Sequence, residues 1–301
     1  MSTVGPRPVI LTVRPAGGPS RRHNPELPMI YADDLGVTRG DGIFETLLVR
    51  DGRVRNLDRH LGRFRSSARM IGLAEPDVGQ WVRATKEAVD DWGSAGGGEA
   101  ACVWTYTRGR ESTGRPTGWI TVKPLSERIL RQRAEGVSVL TTPRGYTVTS
   151  ELPVQGMEST DGPPPWLVLG AKTLNYATNM AALRYAASRG YDDVIFTSDG
   201  RVLEGATSTV VTVTGSTLRT PPPGRELLPG TTQAALFEHA ATLGWTCLEE
   251  PMFVNDLFDA DSVWLCSSVR LAARVVGING RGLPETEAED VVRELIADAL
   301  S

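Results

Sequence analysis

Two kinds of hydrophobic spacing succeed each other along the chain. Val9 to Val13 is a short apolar run that predicts a strand, and a Pro-, Gly- and Arg-rich loop follows to Pro28. Ile43 to Arg50 predicts a second strand, and Asp51-Gly52 marks a tight hairpin turn into Arg53-Val54. From Asp58 the spacing becomes helical, with Leu61, Phe64, Ala68 and Ile71 on one face and Gly72 as the stop. A second helix begins at Asp77, carries Val78, Trp81, Thr85, Ala88 and Trp92, and ends at Gly93 and the Gly96-Gly97-Gly98 run. Ala100 to Arg108 and Trp119 to Val122 predict two more strands.

After a connection at 125–135 the pattern restarts. Val137 to Thr142 predicts a strand, and Pro143 to Pro165 is a long irregular stretch of the kind that is functional or mobile. A helix over Tyr176 to Arg189 precedes the strands Asp193 to Thr197, Arg201 to Leu203 and Ser208 to Thr214. Pro221-Pro222-Pro223 forces an extended segment. A helix from Thr232 to Leu243 is stopped by Gly244, and Trp245 to Glu249, Val263 to Ser267 and Arg274 to Ile278 predict the last strands. Glu287 to Ala299 predicts a closing helix. Mixed elements in two blocks predict an α+β protein: an N-terminal domain over 1–124 and a larger C-terminal domain over 136–301.

Composition narrows the class. The chain has 301 residues, 40% of them apolar and 23% charged, which suits a globular protein with a large core. A net charge of −4 with scattered basic residues argues against a nucleic-acid-binding face. Cys102, Cys247 and Cys266 are odd in number and far apart, and are expected as buried free thiols in a reducing, cytoplasmic setting. His23, His60 and His239 lack metal-ligand spacing, so no metal site is expected. No apolar run is long enough for a membrane span.

Of 32 basic side chains only Lys86, Lys123 and Lys172 are lysines. Arginine stays protonated in proteins, whereas a lysine amine can lose its proton and attack a carbonyl. Lys86 lies among charges, and Lys123 ends a strand-like run. Lys172 follows the apolar run Trp166-Leu167-Val168-Leu169 and Gly170. It reads either as a loop lysine facing water or as a Schiff-base lysine.

Other stretches carry complementary chemistry. Arg59 and Arg63 are one helical turn apart and could hold a phosphate by paired hydrogen bonds, or simply line a solvated helix. Gly230-Thr231-Thr232 stands before a helix, where free N–H groups favour an anion, although an ordinary Thr cap has the same letters. Glu204, at the end of an apolar strand, could keep a ring nitrogen protonated or could face water. Arg108 could receive a substrate carboxylate or cap a loop. Together these groups match the needs of pyridoxal 5′-phosphate: an amine for an imine, a carboxylate for a ring nitrogen, and donors for a phosphate.

Five stretches in order carry a family likeness: Gly40-Asp41-Gly42-Ile43-Phe44-Glu45-Thr46, His60-Leu61-Gly62-Arg63, Lys172-Thr173-Leu174-Asn175-Tyr176, Leu203-Glu204-Gly205-Ala206-Thr207-Ser208 and Leu228-Pro229-Gly230-Thr231-Thr232. They resemble the fold-type IV, or class-IV aminotransferase, family of pyridoxal-phosphate enzymes from about Tyr31 to Gly280. The first stretch looks most like 4-amino-4-deoxychorismate lyases and related D-amino acid aminotransferases, and less like branched-chain aminotransferases. The resemblance implies two mixed α/β domains with the cofactor in the interdomain cleft, and usually a homodimer.

It also implies roles. Lys172 would be the Schiff-base lysine and proton carrier, and Glu204 would pair with the pyridinium nitrogen. Arg63, Thr231, Thr232 and Ser268 would bind the phosphate, Tyr176 would face the phenolic oxygen, and Arg108 would hold the substrate carboxylate. The chain departs from the family's common pattern at Thr209, Val211 and Gln233. The activity implied is a lyase converting 4-amino-4-deoxychorismate to 4-aminobenzoate and pyruvate, a step toward folate. The alternatives are an aminotransferase for a small D-amino or branched-chain amino acid, and a relative that binds the cofactor without catalysis.

Overall fold

Ile43, Glu45, Leu47 and Val49 alternate along one strand, and all four are buried. That strand is the centre of the first unit. In the computed structural model, residues 6–15, 17–146, 165–224, 226–286 and 289–300 are described. They divide into two compact units, one of residues 1–129 with Ala171–Tyr176, the other of 130–170 with 177–301.

The first unit holds strands β1 (Val9–Val13), β2 (Arg21–His23), β3 (Gly42–Arg50), β4 (Arg53–Val54), β5 (Ala100–Arg110) and β6 (Arg115–Pro124). They form one antiparallel sheet in the order β2-β1-β6-β5-β3-β4. Asp51 and Gly52 both take positive φ, 52° and 70°, as the predicted two-residue turn from Arg50 to Arg53 requires. A short helix α1 (Leu35–Thr38) precedes β3, and helices α2 (Leu57–Met70) and α3 (Val78–Ser94) follow β4. Asp77 caps α3 by accepting from the Gln80 N–H, as an N-cap aspartate should. Phe64 from α2 and Trp81 from α3 pack on Trp104 and Tyr106 of β5 to make the core.

Three elements here were not expected, the four-residue helix α1 among them. Arg21–His23 pairs with β1 as an edge strand, although its charged residues carry no apolar alternation. The connection expected at 125–135 is largely a helix, α4 (Glu127–Glu135), whose polar sequence hides it.

The second unit contains strands β7 (Val137–Pro143), β8 (Asp193–Ser198), β9 (Arg201–Gly205), β10 (Thr209–Thr214), β11 (Thr217–Thr220), β12 (Thr246–Glu249), β13 (Ser262–Ser267), β14 (Leu271–Ile278) and β15 (Arg281–Gly282). They form a nine-stranded mixed sheet, ordered β12-β11-β10-β13-β14-β7-β8-β9 with β15 on β14. The neighbours β14–β7, β7–β8 and β11–β12 run parallel. Helices α5 (Ala177–Ser188), α6 (Thr231–Thr242), α7 (Asp256–Asp259) and α8 (Glu289–Ala299) accompany it. Leu236 and Phe237 of α6 pack with Leu295 and Ile296 of α8 over Val213 and Trp264.

The architecture is therefore α+β with two sheets, as expected. One assignment differs: Ala171–Tyr176 packs with the first unit, although the sequence places it inside 136–301. Most of the irregular stretch expected at 143–165, and the first two residues of the closing helix, lie outside the described residues. Cys102 and Cys266 are buried thiols pushed up by burial to about 12, while Cys247 is only half-buried. Among the described residues no cluster could hold a metal ion, and no helix is long and apolar enough to cross a membrane.

Candidate active site

Beyond the short β4, the free side of β3 is taken by the segment that carries Lys172. The Phe44 N–H donates to the Lys172 carbonyl at 3.0 Å, and the Leu174 N–H to the Gly42 carbonyl at 2.8 Å, with an antiparallel bridge between Ile43 and Thr173. The fit is close: a Cβ on Gly42 would stand 2.7 Å from Leu174 Cδ1 and 2.8 Å from the Tyr106 carbonyl. From α2, Ser67 Oγ accepts the Lys172 N–H at 3.0 Å. Lys172 is thus tied by its backbone to both a strand and a helix.

Its amine is set among rings. Nζ lies 4.4 Å from the Phe44 ring centroid and 5.5 Å from that of Tyr176, and donates a long hydrogen bond of 3.5 Å to the Tyr176 hydroxyl. The two rings meet edge to face at 5.0 Å.

Behind this group is a buried carboxylate that sequence reasoning left without a role. Glu45 Oε1 and Oε2 accept from Arg63 Nε and Nη2, each at 2.7 Å, and Oε2 also accepts from His60 Nδ1 at 2.7 Å. Burial pushes the Glu45 carboxyl up, but the Arg63 charge and the hydrogen bonds from Arg63 and His60 outweigh it and hold it at about 2. His60 is lowered, because burial outweighs its bond to Glu45 and the Arg63 and Lys172 charges act in the same direction. A readable signal for Glu45 existed: it is the one charge in the buried alternation Ile43, Glu45, Leu47, Val49.

Arg108 is heavily engaged. Nε and Nη2 donate to the Asp41 carboxylate at 2.6 and 3.2 Å, Nη2 to the Ile71 carbonyl at 2.7 Å, and Nη1 to the Gly72 carbonyl at 3.1 Å. A carboxylate of the protein itself occupies the guanidinium edge that the sequence reading offers to substrate.

In the second unit the predicted anion-binding groups converge at the start of α6. Gly230 caps the helix in extended conformation with no side-chain cap hydrogen bond. A Cβ there would stand 2.3 Å from Thr209 Oγ1, so only glycine fits. Thr231 and Thr232 are buried, Thr231 Oγ1 lies 3.4 Å from Ser268 Oγ, and the buried Thr232 Oγ1 has no hydrogen-bond partner among the described residues. Ser268 stands in the turn between β13 and β14. That turn is braced by Arg270 donating to Asp193 at 2.8 Å and by Arg133 donating twice to the Val269 carbonyl. Amide donors, hydroxyls and an unpaired buried Thr oxygen suit a phosphate. Glu204 is half-buried near the end of β9. The Ser208 hydroxyl, buried and without a partner among the described residues, is a further polar group that the sequence reading did not single out.

The site residues therefore fall into two groups. Lys172, Tyr176 and Arg63 belong to the first unit with Arg108, whereas Thr231, Thr232, Ser268 and Glu204 belong to the second.

The amino-transferase class IV family pattern matches residues 42–278, and the chain belongs to that family. Among characterised proteins it is similar to a bifunctional aminodeoxychorismate lyase / D-amino acid transaminase of Mycobacterium tuberculosis, 46% identical over 92% of this chain and 95% of the relative. Among solved structures it is similar to a hypothetical aminotransferase from the same species in a PLP-bound form, with 45% identity, a TM-score of 0.86, and coverage of 97% and 98% of the two chains. A form of that aminotransferase bound to alpha-ketoglutarate and PMP gives 44% identity, a TM-score of 0.88, and coverage of 96% and 98%.

Proposed function

We propose that the protein is a pyridoxal 5′-phosphate enzyme that converts 4-amino-4-deoxychorismate to 4-aminobenzoate and pyruvate. The observation that carries this reading is the 46% identity, across nearly the whole of both chains, to the bifunctional lyase and transaminase. The residues present fit the cofactor. Lys172 offers an amine beside two aromatic rings, and the Gly230–Thr232 turn offers amide and hydroxyl donors with one buried oxygen unpaired.

Bound pyridoxal phosphate supplies an electron sink for the negative charge left when a proton departs from the amino-bearing carbon. The chain's part is binding and proton transfer. Thr231, Thr232, Ser268 and Arg63 would hold the phosphate, Glu204 would keep the ring nitrogen protonated, and Tyr176 would face the phenolic oxygen. Lys172 Nζ takes the proton from the substrate carbon. Loss of the substrate's enolpyruvyl ether then makes its ring aromatic, which renders the lyase reaction irreversible. Arg108 receives a substrate carboxylate only by exchanging its bond to Asp41, since both compete for one guanidinium edge.

The second reading is amino transfer from a D-amino acid, favoured by the relative's double name and by the alpha-ketoglutarate bound to the similar structure. It uses the same Lys172 proton, returned to a different carbon. Supplying the purified protein with 4-amino-4-deoxychorismate, and separately with D-alanine plus 2-oxoglutarate, tests both. Formation of 4-aminobenzoate supports the lyase, and pyruvate from D-alanine without any 4-aminobenzoate sinks it. Both products must vanish in Lys172→Ala. A homodimer, proposed on the family resemblance, is checked by sedimentation. The free thiols of Cys102 and Cys266 support a reducing, cytoplasmic setting.

A further inference from the structure

A carboxylate on an apolar strand face is costly unless its charge is paired and its oxygens are hydrogen-bonded. Glu45 meets that condition in a directed way. Arg63 approaches through Nε and Nη2 together, the fork geometry that fixes the plane of a guanidinium as well as its distance. The Arg63 side chain keeps 9% exposure while Glu45 has none, so the arginine reaches outward from a buried anchor. His60 Nδ1 holds Oε2 from the same helix, which leaves the carboxylate little freedom to rotate.

The same two elements carry Lys172. Phe44, beside Glu45 on β3, binds the Lys172 carbonyl, and Ser67, one turn beyond Arg63 on α2, binds its N–H. Glu45 therefore joins the strand and the helix that both bind the Lys172 backbone.

We infer that Glu45 is a positioning residue: by gripping one edge of Arg63 it sets the direction in which the guanidinium meets the cofactor phosphate. This rests on the proposed role of Arg63 as a phosphate contact. Charge alone argues for the opposite effect. A carboxylate beside Arg63 offsets its positive charge, so removing it should tighten anion binding if only Coulomb attraction mattered. Weaker binding on removal is the mark of lost orientation.

The test compares pyridoxal 5′-phosphate with pyridoxal, which lacks the phosphate, titrated into the full-length cofactor-free protein and followed by tryptophan fluorescence. Glu45→Gln keeps the shape of the side chain and removes its charge. The expected result is pyridoxal 5′-phosphate bound about tenfold more weakly, the scale seen when a partner behind a ligand is lost, with pyridoxal affinity unchanged. Arg63→Gln should give the same selective loss, and the double variant should be no worse than Arg63→Gln. If Arg63→Gln is selective but Glu45→Gln tightens the phosphate form, leaves it unchanged, or weakens both ligands equally, the positioning role is overturned while the Arg63 reading stands. If Arg63→Gln itself shows no selectivity, the phosphate reading of Arg63 fails and takes this inference with it. Should Glu45→Gln not fold, Glu45→Asp, which withdraws the carboxylate by one methylene, is read by the same comparison.

Discussion

The Phe44 ring stands 4.4 Å from Lys172 Nζ, while the Phe44 N–H holds the Lys172 carbonyl at 3.0 Å. One residue thus fixes both ends of the lysine. The backbone bond survives any substitution other than proline, so a side-chain variant isolates the ring contact. Removing the ring leaves the Lys172 amine less closely confined, and because misplacing a reacting group is costly to rate, Phe44→Leu is expected to lower kcat about fivefold. Phe44→Tyr should retain most of the rate. Steady-state kinetics check this, and a Phe44→Leu enzyme with wild-type kcat would refute it.

Acid should weaken the fold in two stages. His60 has a folded value below its ordinary 6.5, and Glu45 is held at about 2 against an ordinary 4.5. In both cases the unfolded chain binds the proton more readily, so acid favours unfolding. Their stability contributions are fully present at neutral pH. The His60 contribution declines as pH falls below 6.5, and that of Glu45 as pH falls from 4.5 toward 2. Urea unfolding at a series of pH values should show both limbs, and His60→Gln should flatten the upper one.

Arg108 ties the start of β3 to the end of α2 through Asp41, Ile71 and Gly72. Arg108→Gln is expected to destabilise the protein by about 1 kcal/mol, because carbonyl acceptors lose charge-assisted donors. Asp41→Asn should instead lower KM for a carboxylate substrate, by removing the competing charge. An unchanged KM in Asp41→Asn would count against Arg108 as a substrate contact.

At the α6 start, Gly230→Ala places a methyl 2.3 Å from Thr209 Oγ1. Overpacking of this kind costs about 1–3 kcal/mol, and it should also displace the Thr231 and Thr232 amides and weaken cofactor binding. Adding Thr209→Ala removes the nearest atom and should restore part of both losses. Thermal melting and cofactor titration of the single and double variants decide it.

Much of this was legible in local pattern. The Asp51-Gly52 turn, the Asp77 cap and the alternation through β3 follow from letters a few residues apart. The Gly230-Thr231-Thr232 helix start was legible for the same reason, although its letters alone do not separate an anion site from an ordinary cap. Glu127–Glu135 and Arg21–His23 were not, because both are short and mostly polar and contacts elsewhere in the chain stabilise them.

The sequence by itself determined which reactive groups exist and in what order: one lysine in a family stretch, a strand-end glutamate and a hydroxyl-rich helix start. Tertiary structure alone decided what each group faces. Glu45 meets His60 across 15 residues and Arg63 across 18, Arg108 meets Asp41 across 67, and the Lys172 amide meets Ser67 across 105. Local periodicity says which face of a strand a side chain occupies. Sheet register and helix docking bring a distant partner to that face, and so turned an isolated glutamate into an anchor and a candidate substrate arginine into a paired one.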